Sequence, residues 1–439
     1  MTTTARSPLP QHHITTTEGI GGRLKERPED FVVEEIPSYE PCGEGEHLYL
    51  GVQKVGVSHG ELLRVLQRHF GVDQRAIGYA GMKDKQAVTR QVISVQLFDE
   101  PRELQPDHDR IQVLWASRHR NKLRRGHLVG NRFVIRVRGV DPIAAPRAQR
   151  TMRELEARGM PGYYGEQRFG YRLNNQRLGA LLLRREHEAV CRELCGSTGS
   201  AFPEYQRERR ELFDAGQYAD AADRWTRADR AELIVSRALA RGERWESAVR
   251  SIGRVTLNFW TSALGSAAFN ACLDHRMANG TADQMLEGDL AWKHDSRAVF
   301  AVTGGDLEGP ELTNRYDAFE VSPSGPLWGE GMTEPGADIL RYEREALLAL
   351  DTDEQLITTG PWKPEGRRRP FRDTIENVDV EGDYDDHGTF VKCVFDLRRG
   401  MYATMAMREV MKTDAVDASG ASPADPATSV DVDPAGQED

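Results

Sequence analysis

The chemistry-bearing stretch of this chain is YAGMKDKQAVTRQ, Tyr79 to Gln91, where Asp84 lies between Lys83 and Lys85. A charged triplet in a turn is ordinarily a solvated turn. Two features argue for more. Gly78, Ala80 and Gly81 allow a tight backbone and close approach of a ligand. Gln86, Thr89, Arg90 and Gln91 then add a polar, hydrogen-bonding face where a free strand would carry ordinary surface residues. A carboxylate flanked by two ammonium groups stays ionised at neutral pH. An ionised Asp can act as a nucleophile or a base.

Other constellations are weaker. RHRNKLRRG, residues 118–126, gathers Arg118, Arg120, Lys122, Arg124 and Arg125, and reads either as a solvated loop or as phosphate contacts. The arginines at 367–369 form a second, smaller patch. GYYGEQRFG, residues 162–170, is a structural hinge or a substrate contact through Gln167 or Arg168; it has no phosphate-loop pattern. His187, Cys191 and Cys195 recur every four residues on a predicted helix, but no second ligand pair exists to complete a zinc site, so no metal is expected. Ser58-His59 reads as a helix cap rather than a nucleophile and its base.

The elements that must hold these residues follow from periodicity. Strands are expected over 28–37 and 47–56, the second alternating Leu48, Leu50 and Val52 against Tyr49 and Gln53. Ser58 caps a helix that runs to Gly71 with Leu62, Leu63, Leu66 and Phe70 on one face. A strand begins near Ala87, and residues 111–140 form strand, basic loop and strand. Residues from about 174 to 254 are helical by propensity. Strand-like, turn-rich sequence continues to about 360, then a strand over 389–397 and a short helix over 403–412. Short strands interleaved with helices, without a regular βαβ beat, indicate an α+β protein with a largely antiparallel sheet.

Composition bounds the rest. The 439 residues are 39% hydrophobic and 29% charged, which suits two globular domains or one with a large insertion. No run of about 18 apolar residues could span a membrane. The start lacks the apolar core of a secretory signal and reads as a mobile leader. Five scattered cysteines imply free thiols and a cytoplasmic setting. The net charge is −11, of which −7 falls in residues 413–439, a tail expected to be disordered. Overall acidity argues against a general nucleic-acid binder but allows a local basic groove. Among the 58 basic residues 49 are Arg, a pattern that suits a salt-loving source or a GC-rich genome.

The run GMKDKQAVTRQ closely resembles the signature of the TruD family of tRNA pseudouridine synthases. Family-like blocks follow in order: LKERPEDFVVEE (24–35), GEGEHLYLGVQKVG (43–56), SRHRNKLRRGHLVGNRFVIRVR (117–138), GYYGEQRFGYRLNNQRLG (162–179), WTSALGSAAFNACLDHR (260–276), GPLWGEG (325–331) and FDLRRGMYATMAMREVMK (395–412). Taken with the composition, the resemblance points to an archaeal member, from a halophile. It implies isomerisation of a uridine in tRNA, typically at position 13, by breaking the N-glycosidic bond and rejoining the base through carbon. It implies no cofactor and no metal, with tRNA as the partner and no obligatory protein partner.

In the site the resemblance makes Asp84 the catalytic carboxylate, as nucleophile or in deprotonating the ribose. The resemblance implies that Phe31 and Tyr402 lie beside the extruded base as stacking candidates, with Tyr402 standing where Phe is usual. Asn131 meets the uracil imide edge, Phe133 closes the same wall, and Lys25 pairs with Asp84 ahead of Lys83 and Lys85. Stacking of this kind is worth about 1–3 kcal/mol per base.

The implied architecture is a mixed, mostly antiparallel sheet with helices, interrupted by an inserted α/β domain. Its parts are a flexible leader (1–20), a first catalytic part (21–171), the insertion (172–358), a second catalytic part (359–412) and the acidic tail (413–439). Insertion and sheet would flank a tRNA cleft. Two other readings stay open: a catalytically silent tRNA-binding protein, and a base-excising glycosidase with Asp30, Glu34 or Glu35 as second acid.

Overall fold

A computed structural model describes residues 7–413 except 227, 361 and 363, so the acidic tail beyond Thr413 lies outside the described residues. The chain divides into two compact units. One holds residues 15–160 and 374–413, the other residues 7–14 and 161–373. The inserted segment read from the sequence was 172–358; the compact unit runs Pro161–Asp373.

In the first unit the elements are β1 (Phe31–Pro37), β2 (His47–Val55), α1 (His59–Phe70), β3 (Ile77–Tyr79), β4 (Val88–Gln96), β5 (Ile111–His119), β6 (Leu128–Arg138) and α2 (Ala145–Arg158). β7 (Met160–Pro161) marks the junction with the second unit. Among the described residues the sheet has eight strands in the order β8-β9-β6-β1-β4-β2-β5, where β8 is Ile375–Asp385 and β9 is Gly388–Arg398, and β3 also pairs with β4. Every pairing is antiparallel except β1 with β4. The expected α+β architecture with a mostly antiparallel sheet is what the chain forms.

Ser58 Oγ accepts the Glu61 N–H at 3.2 Å and starts α1; Gly71, at φ 65°, ends it. The helix buries Leu62, Leu63 and Leu66 against Leu48, Leu50, Val52, Ile93 and Val95. β2 differs from the half-buried strand expected, because its other face is covered too. Tyr49 packs there with Ala80, Val92, Leu123 and Leu128. Arg138 is buried within the sheet, donating to Asp30 Oδ1 at 2.6 Å and to Asp385 Oδ1 at 2.7 Å. That bond holds the Asp385 carboxyl well below the usual carboxylate range. Residues 15–20, read as mobile leader, are tied down: Thr15 Oγ1 donates to Glu409 Oε2 at 2.6 Å and the Ile20 N–H to Val410 O at 3.1 Å.

In the second unit residues 174–251 are helical, as their propensity indicated: α3 (Asn175–Leu183), α4 (His187–Cys195), α5 (Arg207–Asp214), α6 (Tyr218–Arg224), α7 (Arg230–Ala240) and α8 (Trp245–Ser251). The stretch after them departs from expectation. Arg254–Ala278 is a 25-residue helix, α9, where strand and turn were read. Its buried residues lie all round, from Leu257 and Trp260 through Ala263, Leu264, Phe269 and Cys272 to Leu273, so no polar stripe marks the 3.6-residue period. It packs so closely on α3 that a Cβ on Gly179 would sit 2.2 Å from Trp260 O. A four-stranded sheet among the described residues follows, with the central strand Val321–Leu327 between Arg367–Pro370 and Leu290–Lys293. Residues 7–14, also read as leader, pack in this unit, the Gln11 N–H donating to Asp274 Oδ1 at 3.0 Å.

The smaller basic patch is not a surface cluster. Arg368 is buried, forked onto Glu343 at 2.7 and 2.9 Å, and Arg369 lies 4.4 Å over the Tyr164 ring. Cys191 and Cys195 are core thiols, and burial pushes the Cys191 thiol up to about 12.

Burial likewise pushes Glu232, on α7, up to about 7. Between the ordinary carboxylate range and pH 7 the folded chain keeps a proton that the unfolded chain releases, so stability falls as pH rises through that window. Glu232→Gln removes this dependence. The melting temperature of the variant relative to the parent therefore rises from pH 5 to pH 8; a constant difference would show that the carboxyl titrates normally.

Candidate active site

Asp84 lies in the loop between β3 and β4, and three lysines fix that loop. Lys25 Nζ donates to Asp84 Oδ2 at 3.0 Å. The Asp84 side chain is 34% exposed and that of Lys25 12%. Lys25 holds a left-handed backbone, φ 56°, and its ammonium lies 4.3 Å over the centre of the Phe31 ring. A non-glycine residue at positive φ is uncommon and costs energy that its surroundings must offset. The cation–π contact and the ion pair are the offsets visible here.

Lys83 turns the other way. Its Nζ donates to Glu35 Oε2 at 2.7 Å, both side chains being buried, while Glu35 Oε1 accepts the Val92 N–H at 3.2 Å. Lys85 is half-buried and its carbonyl accepts the Ala87 N–H at 2.9 Å. Of the three lysines weighed as partners of Asp84, the ion pair is therefore made by Lys25.

Lys54 is the residue that sequence reasoning missed. It is fully buried on β2, and its Nζ donates to Val57 O at 2.7 Å, Lys83 O at 3.2 Å and Asp84 O at 2.7 Å. A lysine in an apolar-alternating strand is a signal, because its position on the Leu48, Leu50, Val52 face demands burial of a charge. Burial needs oxygen partners, and the 80s loop supplies them.

The aromatic wall is assembled. Phe31 meets Phe133 edge-on at 6.2 Å and Phe133 stacks on Phe395 at 5.6 Å. Phe31 is only 2% exposed, and Lys25 lies over its ring, so it supports the ion pair rather than offering an open stacking face. Asn131 pairs with Glu35 across β6 and β1; its Oδ1 is buried and has no hydrogen-bond partner among the described residues. Tyr402 is half-buried just before α10 (Ala403–Met411), and its carbonyl accepts the Met405 N–H at 2.9 Å.

The basic run returns to the stem of this loop. The Gly126 N–H donates to Ala80 O at 2.9 Å, and Arg125 donates to the Tyr79 hydroxyl at 3.1 Å. Gly78 makes room for it: a Cβ there would lie 2.2 Å from Leu123 O, so the close approach is by protein rather than ligand. Arg118 is committed to Glu100 at 2.8 Å and the Asp99 carbonyl at 3.0 Å, and Lys122 to Arg75 O at 2.5 Å. Arg120 is exposed and pairs with Glu44; Arg124 is exposed. Arg168 belongs to the other unit, where it donates to Ser266 Oγ at 2.9 Å between the rings of Tyr164 and Phe259. No group of metal-ligating side chains occurs among the described residues.

Of the acids considered for a glycosidase, Asp30 is held by Arg138 and Glu35 by Lys83, while Glu34 is exposed and lies 3.8 Å from Arg90. The sequence model of the family tRNA pseudouridine synthase D (TruD) matches residues 10–410. This chain belongs to the TruD family. A tRNA pseudouridine synthase D of Geotalea daltonii is 39% identical over 397 residues, covering 90% of this chain and 98% of the relative. One from Geobacter sulfurreducens is 39% identical over 396 residues, covering 90% and 95%. These relatives are bacterial and lend no support to an archaeal or halophilic source. A solved structure from Methanosarcina mazei, described as a tRNA pseudouridine synthase D, superimposes with a TM-score of 0.77 over 93% of this chain and 97% of that one at 24% identity, which shows a shared fold.

Within the TruD chain the lysine clamp is testable by itself. Lys54→Met leaves three carbonyls without their ammonium, costing on the order of 1–3 kcal/mol for each one left unsatisfied. Amide exchange should quicken across residues 80–87 while α1 keeps its protection; unchanged exchange in that loop would show that the clamp is dispensable.

Proposed function

We propose that this protein isomerises a uridine of tRNA to pseudouridine, with position 13 as the target and Asp84 as the catalytic carboxylate. The observation that carries the reading is the Lys25–Asp84 ion pair at 3.0 Å, in a loop whose backbone Lys54 fixes. The ammonium favours the ionised carboxylate, which the reaction needs whether Asp84 attacks the sugar or the base or deprotonates the ribose. The bond from C1′ to N1 breaks, the base turns, and C1′ bonds to C5, which gives up its proton while N1 gains one.

The target nucleotide leaves the RNA stack at a cost of roughly a few kcal/mol. Tyr402 is the candidate stacking side chain, Phe31 and Phe133 are the wall behind the ion pair, and Asn131 offers an amide to the uracil imide edge. Arg120 and Arg124, both exposed, are the candidates for phosphate contact, and Arg125 guides the same loop from its seat on Tyr79. Arg118, Lys122 and Arg168 act through the structure they hold. No helix is long and apolar enough to cross a membrane among the described residues, and a cytoplasmic location with tRNA as partner follows from the reaction.

Purified protein incubated with unmodified tRNA, with pseudouridine mapped by nucleotide, tests this. Conversion at position 13 is expected, with Asp84→Asn binding tRNA normally but turning over slower by on the order of 10⁴-fold. Binding without conversion by the parent would favour a silent RNA-binding protein, and released free uracil a glycosidase. Replacing Arg120 and Arg124 by Ala should lower the slope of log Kd against log salt by about 2; an unchanged slope would move the RNA path elsewhere.

A further inference from the structure

One row of side chains across the sheet is built for something the protein does not itself supply. On β4, β1 and β6 the residues Thr89, Gln91, Glu35 and Asn131 share one face, since Val33 pairs with Thr89 and Glu35 with Asn131. Glu35 is saturated by Lys83 and the Val92 N–H. Its neighbours are not. Gln91 is 3% exposed, and neither its amide nitrogen nor its amide oxygen has a partner among the described residues. The same holds for Thr89 Oγ1, in a residue with no exposure, and for Asn131 Oδ1.

A buried polar group left unsatisfied costs about 1–3 kcal/mol, and four such atoms fall together in this one row. The row also lies against the Asp84 loop. Thr89 stands opposite Lys54, whose ammonium holds Asp84 O, and Glu35 holds the residue before Asp84.

We propose that Gln91 is a specificity-determining residue that reads the imide edge of the target uracil, with Thr89 beside it and Asn131 at the other end of the row. The inference rests on the function proposed above. A carboxamide offers one acceptor and two donors. Uracil offers an N3–H between two carbonyl oxygens, so the Gln91 oxygen accepts N3–H while its nitrogen donates to O4. Cytosine, with an acceptor at N3 and a donor at C4, reverses that pattern.

The test is Gln91→Met, close in shape and without the amide. If the amide waits for substrate, the variant folds with a melting temperature equal to or above the parent and binds tRNA within about threefold of it. Its kcat/KM then falls by at least ~10²-fold. Transcripts carrying N3-methyluridine at the target supply the second arm. The methyl group should cost the parent far more than it costs the variant, because the variant has already lost the partner of N3–H. Thr89→Val should show the same pattern at smaller size. Wild-type turnover by Gln91→Met, or equal N3-methyl penalties in both proteins, would overturn the inference while leaving the proposed function standing. A variant that melts well below the parent would overturn it too, by showing that the amide serves the fold. A parent inactive on every tRNA would sink the proposed function, and this inference with it.

Discussion

A lysine with no contact with water must find oxygen in every direction it can donate, or it does not stay charged. Lys54 meets that demand with backbone carbonyls, and two of them belong to Lys83 and Asp84. The loop is thus shaped around an ammonium that the sheet carries in. Carbonyls turned inward leave the Asp84 side chain facing the opposite way, where Lys25 reaches it. The rest of the site depends on this arrangement: Lys83 is left free to turn to Glu35, and Glu35 to fill the seam between β1 and β4.

Charge is paired in a graded manner around Asp84. Buried pairs, such as Lys83 with Glu35 and Arg138 with Asp30, hold the sheet. Their contribution to net stability is small or even negative compared with apolar packing, but breaking one leaves a buried charge, so they fix geometry strongly. Asp84, unlike Glu35 and Asp30, keeps a third of its side chain open while remaining paired. An ionised oxygen that is held and yet reachable is what nucleophilic or basic chemistry requires.

Much of this was readable in the chain. The cap at Ser58, the stop at Gly71 and the strand–loop–strand of 111–140 follow from local chemistry, and the family blocks point to Asp84, Lys25 and Asn131 together. What stayed hidden has physical causes. Period-two alternation reports burial of one face only, so β2, covered on both, read as half-exposed. α9 lacks a polar face, and the central strand 321–327 carries Pro323 and Pro326, residues that ordinarily argue against a central strand. The arginines at 367–369 looked like a surface patch because sequence cannot show that Glu343 lies buried opposite Arg368. Lys54 lies on the face that Leu48, Leu50 and Val52 put in the core, but alternation alone does not show which carbonyls receive its ammonium.

β4 is bordered along one edge by two different strands, parallel β1 at Val88–Arg90 and antiparallel β3 at Ile93–Val95. The segment carrying Asp84 therefore leaves a strand and re-enters the sheet beside it, stitched at both ends to the same neighbour. A slip of β4 by one residue against its neighbours would exchange its two faces, turning Thr89 and Gln91 to the side that now holds Val88, Arg90 and Val92. The register of β4 against β1 and β3 therefore sets where the Asp84 loop begins and ends.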